Sequence, residues 1–381
     1  MKRVVIGGSG FFGITCARVL AEFGYCVTVL EKEHHIGGLA YDYEDKRTGI
    51  CVHKYGPHVL NINNYQIYEF LKRFAQFESC EIIRNVMVGS KLLPLPINYN
   101  SIQKLNGTGN WNDVVQKLNL LGREEITLGE LLRINDETLH RLGRIIYEKV
   151  YLGYNIKMWG KNPEEVNPQT INRMPIRLND NVGLDGGSMH LLPVKGYMGL
   201  FHEMLNHEKI TIRCNTDFVS YWNELHNNET NGENVIGIFS GPIDELFSFK
   251  YGVLQYRSII FKKTYHQGFI SEDSCVVTYP TKYKKTRTTD MGMLTGTRGN
   301  QTVWVSEYPR AYEYGNRKLG KPAYPVNDQS DKMILEKYLE EVKKQKNLYV
   351  GGRLAEYKYY DMEDTILSAI KCAEEIKVND R

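Results

Sequence analysis

Glycine residues near the N-terminus are spaced as in a dinucleotide-binding loop. The segment GSGFFG contains Gly8, Gly10 and Gly13, directly after the β-branched run at 3–6 and before a stretch with helical spacing. In such a loop the first glycine makes the tight turn, the second admits a pyrophosphate, and the third lets helix and strand pack closely. Glu31 ends the next apolar strand, where a ribose-binding carboxylate is expected. The spacing predicts a dinucleotide at the helix N-terminus, and a plain strand–helix turn is the alternative.

A second glycine pair indicates which dinucleotide is bound. In EKEHHIGGLAY, Gly37 and Gly38 follow Glu31 by six and seven residues. Glycines at this distance let the backbone lie against a second segment of the cofactor, as in flavoproteins with a glutathione-reductase-like arrangement. An NAD enzyme does not require such a pair. We therefore predict FAD.

A third group of polar residues lies close to the C-terminus, in GGRLAEYKYYDM at 351–362. The pattern predicts a tight turn after a strand, a basic side chain at Arg353 and a helix that starts near Asp361 and Asp364. Acidic residues at a helix start cap free backbone amides. The N-terminus of this helix would lie at the flavin ring, where its partial positive charge stabilises a reduced flavin.

Three tyrosines occupy the same segment, at positions 357, 359 and 360. The chain has 26 tyrosines and only 13 phenylalanines, a bias towards aromatic groups that also hydrogen-bond. The three phenols would lie beside the flavin and bind a second ligand. Packed or exposed tyrosines without a ligand are an equally good interpretation of the spacing.

The elements that hold these residues follow from hydrophobic periodicity. Residues 3–30 have the pattern of a βαβ unit, and β-rich runs between about 210 and 310 suggest a second, largely antiparallel sheet. Further predicted elements are a helix at 64–76, a hairpin at 85–98, mostly helical structure from about 101 to 158, a helix and a strand at 333–350, and a helix at 362–376.

Composition excludes several classes of function. Of the 381 residues, 42% are hydrophobic and 24% charged, and the net charge of +3 is too small to argue for nucleic acid or an acidic membrane surface. No apolar run approaches membrane-spanning length, and the N-terminus does not read as a signal peptide. The seven cysteines form no CxxC pair, so we expect neither a zinc site nor a disulfide framework, and a cytoplasmic protein without a metal.

Taken in order along the chain, the motifs resemble those of the UDP-galactopyranose mutase family. The matching segments are GSGFFG, EKEHHIGGLAY, HKYGPH, GYNIKMWG, RMPIR, SGPIDELF, YGVLQYRS, EYP, YPVND and GGRLAEYKYYDM. The resemblance implies an α/β fold with an FAD-binding Rossmann-like domain, a helical-bundle insertion and an antiparallel β-sheet domain. The predicted division is 1–80, 191–240 and 333–381 for the FAD-binding domain, 81–160 for the helical domain, and 161–190 with 241–332 for the antiparallel substrate domain.

The resemblance also implies an activity. The family interconverts the pyranose and furanose forms of a nucleotide-diphospho-hexose with reduced FAD and no net redox change. Flavin N5 attacks the anomeric carbon and displaces the nucleoside diphosphate, and the sugar opens and recloses on another hydroxyl before the diphosphate returns. We expect a reduced nicotinamide or similar reductant, a homodimer, and a role in polysaccharide biosynthesis that supplies galactofuranose or fucofuranose.

Site residues carry over from the family by motif. Arg177 in RMPIR and Arg287 in KKTRTTD should bind the diphosphate, and Tyr324 and Tyr359 should donate to the same oxygens. His58 in KYGPH should lie beside the flavin, although a lone histidine is more often structural. The substrate-binding residues implied are Tyr151, Tyr154, Trp159, Met189, Thr278 and Asp361. The cofactor-binding residues implied are Gly8, Gly10, Phe11, Phe12, Gly13, Glu31, Lys32, Gly37, Gly38, Leu39, Arg353 and Met362.

Departures from the family pattern concern substrate recognition. Leu184 and Met189 stand where the family has tyrosines, Val150 stands where it often has phenylalanine, and Val277 or Thr278 replaces an asparagine. The substrate is therefore expected to be UDP-galactose or its 6-deoxy relative dTDP-fucose. Smaller apolar residues at the base site leave room for a thymine methyl group and slightly favour the dTDP-sugar.

Two other classes of protein share parts of the pattern. A flavin amine oxidase or desaturase-like oxidoreductase has the glycine loop and the glycine pair, but does not need arginines and tyrosines gathered for a diphosphate. A nucleotide-sugar sensor without catalysis would also bind the ligand, but the intact GGRLAEYKYYD segment argues against it.

Overall fold

The computed structural model describes residues 2–105, 110–162, 175–182, 188–227, 235–297, 299–345 and 347–380. Its strands are β1 Arg3–Gly7, β2 Cys26–Leu30, β3 Asp42–Glu44, β4 Cys51–His53, β5 Leu60–Ile62, β6 Phe77–Ser79, β7 Arg84–Val88, β8 Lys91–Leu95, β9 Glu125–Ile126, β10 Ile176–Arg177, β11 Met189–Pro193, β12 Ile210–Arg213, β13 Val235–Phe239, β14 Tyr256–His266, β15 Val276–Thr278, β16 Arg287–Asp290, β17 Thr302–Ala311, β18 Pro322–Pro325 and β19 Leu348–Val350. Its helices are α1 Phe11–Glu22, α2 Tyr65–Lys72, α3 Tyr99–Lys104, α4 Trp111–Asn119, α5 Leu128–Leu131, α6 Glu137–Ile146, α7 Gly153–Trp159, α8 Gly196–Leu205, α9 Phe218–Asn227, α10 Ile243–Leu246, α11 Met291–Leu294, α12 Gln329–Lys343, α13 Gly352–Ala355 and α14 Met362–Asn379. Short 3₁₀ helices span Gly38–Ala40 and Arg317–Leu319, and a π-helix, Tyr147–Leu152, joins α6 to α7.

Strands from the N-terminal, middle and C-terminal parts of the chain form one parallel sheet with the order β12-β2-β1-β13-β19. Residues of β1 and β13 are almost all buried, because both faces of the sheet are covered, which explains their continuous apolar runs. Parallel strands end at the same edge. The segments that follow Gly7, Leu30, Phe239 and Val350 therefore meet along one edge of the sheet.

Two β-rich runs that periodicity placed in an antiparallel sheet belong to this parallel sheet instead. β12 pairs with β2, and β13 pairs with β1, both in parallel. Helix α8 precedes β12 and helix α9 precedes β13, so each strand returns by a crossover. The expectation for these two runs was wrong because β propensity does not show which sheet a strand joins.

The second large sheet has the order β18-β14-β17-β16-β15-β7-β8 and is mainly antiparallel. Its longest ladder joins β14 to β17, from Arg257 opposite Ala311 to His266 opposite Thr302. Among the strand pairs of this sheet in the described residues, only β15–β7 is parallel. Long pairing of this kind gives a rigid frame, on which β16 and β18 present Arg287 and Tyr324.

The sheets alter the predicted domain division at two places. The hairpin β7–β8 lies within the interval 81–160 predicted to be helical, but it extends the seven-stranded sheet through β15. Within 161–190, β10 pairs with β9 in the helical region, and β11, which begins at Met189 and ends beyond this interval, pairs with β5 and β6, so neither strand is part of the seven-stranded sheet. These pairings join distant segments, and local sequence does not specify them.

The helical region has a hydrophobic core of its own. Val114, Leu118, Leu131, Leu142 and Ile146 are all fully buried there, on helices α4 to α6. Capping residues fix where several of these helices begin; Thr127, for example, forms a capping box with Glu130 at α5. In the part of the chain that the structure describes, no helix is both long and apolar enough to cross a membrane.

Candidate active site

A cavity lies at the carboxyl edge of the parallel sheet, where the strand ends converge. Its walls come from the glycine loop after β1, the segment after β2, the segments after β12 and β13, and the start of α14. Of the predicted cofactor residues, the following line it: Gly8, Gly10, Phe11, Phe12, Glu31, Lys32, Gly37, Gly38, Leu39, Arg353 and Met362. Gly13 is not in the lining. The structure thus brings eleven of the twelve residues to one cavity, and their binding of a cofactor stays a prediction.

Glycines let the backbone segments around this cavity approach each other more closely than other residues would allow. A Cβ atom on Gly13 would lie 1.9 Å from the Gly8 carbonyl oxygen, so Gly13 lets helix α1 approach the loop. Gly38 has a φ of +56°, and its Cβ atom would lie 2.9 Å from Gly10 Cα. The two glycine segments therefore face each other across backbone alone. This cradle fits a ligand that runs between the loop and the glycine pair, as an extended dinucleotide does.

Glu31 is held firmly at the rim of the loop. Its side chain is buried, and Oε2 accepts hydrogen bonds from Ser9 N at 3.0 Å and Ser9 Oγ at 2.6 Å. Oε1 accepts from Glu33 N at 2.9 Å. The carboxylate is thus oriented before any ligand arrives, in the position where a ribose hydroxyl is expected.

The start of α14 forms the opposite wall. Asp361 is the N-cap: its side chain accepts from Asp364 N, and Asp364 bonds back to Asp361 N, which completes a capping box. Burial raises the pKa of Asp361. Nearby, Arg353 Nε donates to the Tyr360 carbonyl oxygen at 2.8 Å, which fixes its guanidinium at the cavity. The prediction that acidic residues cap this helix is correct.

The three tyrosines of this segment have different environments. Tyr357 is 1% exposed, and its hydroxyl oxygen lies 2.6 Å from the Gln255 carbonyl oxygen and 2.7 Å from Asp331 Oδ2. Tyr360 donates to Glu356 Oε1 at 2.9 Å. Tyr359 is 42% exposed. The idea that all three bind ligand is wrong for Tyr357, which belongs to a buried hydrogen-bonded core.

A group of aromatic rings and a guanidinium adjoins the cavity. Tyr324 and Tyr359 stack with ring centroids 5.9 Å apart and planes 10° from parallel. Trp159 meets Tyr324 edge-on at 6.4 Å, and the Arg353 guanidinium lies 5.0 Å from the Tyr324 ring centroid and 5.6 Å from that of Tyr359. Because Arg353 also lines the cavity, this aromatic group is its neighbour. Tertiary contacts therefore gather four of the predicted site residues.

Arg287 lies beside the same group. Its Nε donates to Glu307 Oε1 at 2.8 Å, and Glu307 is almost fully buried. Burial disfavours the guanidinium charge, but the Glu307 carboxylate together with the hydroxyls of Tyr154 and Tyr324 outweighs this effect and raises the pKa of Arg287. The cation is thus held in place rather than solvated as part of a basic run. Thr278 stands opposite Arg287 in the β15–β16 ladder.

His58 lines the cavity and is close enough to Arg353 and Arg287 to interact with their charges. Its Nδ1 is 2.8 Å from the Gly56 carbonyl oxygen, so Nδ1 carries the proton and Nε2 can accept a hydrogen bond from a ligand. Burial, with further repulsion from Arg353 and Arg287, lowers the pKa of His58 to about 4. The imidazole is neutral near pH 7. It lines the cavity, and its place beside a flavin stays a prediction.

Other predicted substrate residues lie on different elements. Arg177 is on β10, where its Nε is 3.5 Å from Glu125 Oε1. Tyr151 is 7% exposed and packs in the helical core, and Met189 packs against the core around the parallel sheet. Tyr154 is on α7 with Trp159. Leu184 falls outside the described residues. Substrate contacts by this set stay predictions.

Several lining residues were given no role from the sequence, although some of them belong to the matching segment SGPIDELF. They are Thr216, Asp217, Phe218, Val219, Phe239, Ser240, Gly241, Pro242, Glu245 and Lys321, among others. A usable signal exists for the segment Ser240–Pro242, because it directly follows the buried strand β13, and strand ends at that edge bind ligands. Ser240 Oγ donates to the Gly7 carbonyl oxygen at 2.8 Å, next to the glycine loop.

Chemically, the site joins a dinucleotide cradle to a cluster suited to phosphate. Two guanidinium groups and two phenols converge near a neutral imidazole. Guanidinium groups bind phosphate oxygens in pairs of hydrogen bonds, and partial burial strengthens such contacts. The described residues of this site have the arrangement of a dinucleotide-dependent enzyme that acts on a phosphorylated or diphosphate-bearing substrate.

Comparison with known proteins gives the class and then the family. A sequence model of the NAD(P)-binding Rossmann-like domain matches residues 6–74, so the chain has the dinucleotide-binding fold used by flavin enzymes. A sequence model described as UDP-galactopyranose mutase matches residues 149–359. The chain belongs to the UDP-galactopyranose mutase family, which is a family of isomerases acting on nucleotide sugars.

Relatives match over the full length. A UDP-galactopyranose mutase from Mycoplasma genitalium is 32% identical over 98% of this chain and 94% of the relative. A dTDP-fucopyranose mutase from Escherichia coli is 31% identical over 98% of both chains. The crystal structure of a reduced UDP-galactopyranose mutase superposes with a TM-score of 0.71 at 15% identity, covering 99% of this chain and 96% of the other. The predicted α/β fold and the predicted family are confirmed.

Proposed function

We propose that the chain interconverts the pyranose and furanose forms of a nucleotide-diphospho-hexose, with reduced FAD bound in the cavity. The observation that carries this proposal is the contact between the aromatic group and the cavity wall. Arg353 lines the cavity and at the same time lies over Tyr324 and Tyr359. A sugar diphosphate held by those phenols would therefore place its anomeric carbon towards a cofactor in the cavity.

The proposed roles follow from charge and geometry. A nucleoside diphosphate leaves the sugar as an anion, and Arg287 stabilises that charge because Glu307 already fixes its guanidinium. Arg177 is proposed to add a second guanidinium, and Tyr324 and Tyr359 donate phenol hydrogen bonds to the same oxygens. Trp159 shields the sugar from water. When bound, the reduced flavin supplies the nucleophile for the anomeric carbon.

FAD fits the cavity better than a nicotinamide dinucleotide. The lining joins the glycine loop, the glycine pair at Gly37–Gly38 and the start of α14 in one cavity. A nicotinamide dinucleotide needs only the first of these. If FAD binds in this way, the partial positive charge at the N-terminus of α14 would stabilise the negative charge of a reduced isoalloxazine ring.

The substrate is proposed to be UDP-galactose or dTDP-fucose. The relatives named above include one mutase for each, at 32% and 31% identity, so similarity does not separate them. The argument from Val150 for a dTDP-sugar loses its support, because Val150 is 4% exposed and packs in the helical core. Met189 is likewise partly buried and packs against a core cluster.

Turnover of both sugar nucleotides tests the proposal. The purified protein is expected to be yellow, and after reduction with dithionite it should convert UDP-galactose or dTDP-fucose into the furanose form, measured by ion-pair chromatography. Oxidised enzyme should be inactive. Oxygen consumption with an amine or alcohol, without isomerisation, would instead establish the oxidoreductase alternative. A protein that binds the nucleotides but turns over neither would be the sensor.

The setting of the reaction is part of the same proposal. We propose a homodimer in the cytoplasm, with a reduced nicotinamide as the source of electrons for FAD. The product would supply galactofuranose or fucofuranose units for a polysaccharide. Light scattering for mass and stopped-flow reduction by NADH or NADPH test the first and second of these statements.

A further inference from the structure

A lysine on helix α7 is bound by three carbonyl groups of one turn. The Nζ atom of Lys157 donates to the carbonyl oxygens of Tyr279, Tyr283 and Lys285, the last two at 3.0 Å. These residues belong to the turn 279–286, which joins β15 to β16. An ammonium has three N–H donors, and all three are used here by backbone.

The environment of this ammonium is unusual because its partners carry no formal charge. Among the described residues, each hydrogen bond that Lys157 makes goes to a carbonyl oxygen, and no carboxylate pairs with it. Burial lowers the pKa of Lys157 to about 8. Three carbonyl oxygens that point at one spot repel each other, so the turn depends on a donor at its centre.

The turn also touches the helix through backbone. A Cβ atom added to Gly153, the first residue of α7, would lie 2.3 Å from the Pro280 carbonyl oxygen. At the other end of the helix, Arg257 Nε donates to the Met158 carbonyl oxygen at 2.7 Å. Helix α7 is thus fixed at both ends, once to the turn and once to strand β14.

We call the hydrogen bonds between Lys157 and the carbonyls of the turn 279–286 the clamp. The residues next to it belong to the proposed substrate site. Helix α7 carries Tyr154 and Trp159, and the turn runs directly into Arg287 at the start of β16. Thr278 precedes the turn. A change in the position of the turn relative to the helix would therefore change the distance between the aromatic side chains and the diphosphate-binding arginine.

We propose that Lys157 is a positioning residue that holds the turn 279–286 on helix α7 and so sets the spacing between Tyr154, Trp159 and Arg287. The proposal rests on the proposed function for its consequence in catalysis, but the clamp itself is a property of the fold. Lys157 acts through the carbonyls of the turn and not through contact with substrate. Its removal should weaken nucleotide binding more than it slows turnover.

The variant Lys157→Met tests the proposal with two separate measurements. Hydrogen exchange at the amides of residues 279–287 should become about tenfold faster, because loss of charged hydrogen bonds to the three carbonyls destabilises the turn. In the reduced enzyme, KM for whichever sugar nucleotide the wild type converts should rise about tenfold, while kcat changes less than twofold. Bound flavin should be unchanged. Lys157→Arg should restore part of the KM, because it returns N–H donors.

Two further variants test whether the effects come from the position of the turn rather than from a change in net charge. Lys284→Met removes a lysine from the exposed side of the same turn and should leave exchange and KM at wild-type values. Gly153→Ala should displace the turn while Lys157 is retained, and should raise exchange and KM as Lys157→Met does. This second variant gives the test if Lys157→Met does not fold.

The results distinguish the positioning role of Lys157 from the proposed function. Unchanged exchange and KM in Lys157→Met, or in Gly153→Ala if only that variant folds, would overturn the positioning role and leave the proposed function intact. Equal effects in Lys284→Met would also overturn it, since net charge would then be the cause. If the wild type binds neither UDP nor dTDP, the proposed function fails, and the exchange measurement still decides whether the clamp exists.

Discussion

The cofactor cavity and the aromatic group beside it are built in different ways. At the cavity, close approaches of backbone at one sheet edge depend on glycines, because a Cβ atom on Gly13 or Gly38 would collide with neighbouring backbone. The aromatic group, with Arg287 beside it, is made of side chains from α7, β16, β18 and the segment around Arg353 and Tyr359, which are far apart in sequence. The first region can therefore be recognised from the spacing of glycines along the chain, whereas the second forms only through tertiary packing.

The largest effect is expected from a change in the backbone-built region. In Gly13→Ala the added Cβ atom would meet the Gly8 carbonyl oxygen at 1.9 Å, and neither backbone segment can move without opening the loop. We expect the purified variant to lose bound flavin, with an affinity for FAD weakened by about 100-fold or more, as strain of about 3 kcal/mol would produce. Absorbance at the flavin band and fluorescence titration with FAD measure this.

The control for this change is Gly299→Ala. The nearest atom to a Cβ at Gly299 is the Gln301 carbonyl oxygen at 3.8 Å, so this variant should retain its colour. Full flavin content in Gly13→Ala would show that the close approach of α1 to the loop is not what holds the cofactor.

A smaller effect is expected in the side-chain-built region. Arg287→Lys keeps the charge next to Glu307 but loses the fork that binds two phosphate oxygens. We expect kcat/KM to fall about 100-fold, which corresponds to about 3 kcal/mol, with flavin content unchanged. Steady-state kinetics of the reduced enzyme give the value. Arg123→Lys, at a surface ion pair with Glu130, is the matched control and should behave as wild type.

Separate losses of flavin and of turnover would support the division between the two regions. If Arg287→Lys also released the flavin, the two regions would form one cooperative site, and the comparison above would not hold.

Tyr357 and Tyr359 extend the comparison to two residues of a single segment. In Tyr357→Phe, Asp331 Oδ2 and the Gln255 carbonyl oxygen lose a buried hydroxyl partner, so the free energy of unfolding should fall by about 1–3 kcal/mol with little change in kcat/KM. Tyr359→Phe should lower kcat/KM about tenfold and leave stability unchanged, because its ring is half-exposed. Urea unfolding and kinetics on both variants test this. Equal losses of activity in both would contradict the assignment of Tyr357 to the core.

The smallest expected effect is a pH dependence at the junction of the two regions. His58 has its pKa lowered to about 4 in the folded protein, so between about pH 6.5 and pH 4 the unfolded state binds more protons than the folded state. Its contribution to stability is therefore present above about pH 6.5 and is lost as the pH falls towards 4. His53, with its pKa lowered to about 3 by burial, acts in the same direction.

In His58→Gln, the free energy of unfolding should depend less steeply on pH over this interval than in wild type. Urea unfolding at several pH values measures the slope. Parallel slopes for the two proteins would mean that folding does not change the pKa of His58.

Much of the cofactor region could be predicted from the sequence. GSGFFG and the pair Gly37–Gly38 contain six of the eleven predicted lining residues, because glycine spacing after a buried strand reports backbone geometry directly. The acidic start of α14 was predicted for the same reason, since a capping box is local. The segment after β12 was missed, and the segment after β13 was recognised only as the motif SGPIDELF without a role, because their place at the same edge depends on strand order.

The sequence by itself determined the local pieces: the glycine loop, the cap at Asp361 and, through the colinear motifs, the family. Only the tertiary structure decided that Tyr357 lies in the core while Tyr359 meets Tyr324, and that Lys157 binds the turn before Arg287. The physical reason is the separation along the chain between the residues that interact. Turns and caps are fixed by interactions over a few residues, whereas stacking, burial and strand pairing depend on segments that meet only after the chain has folded.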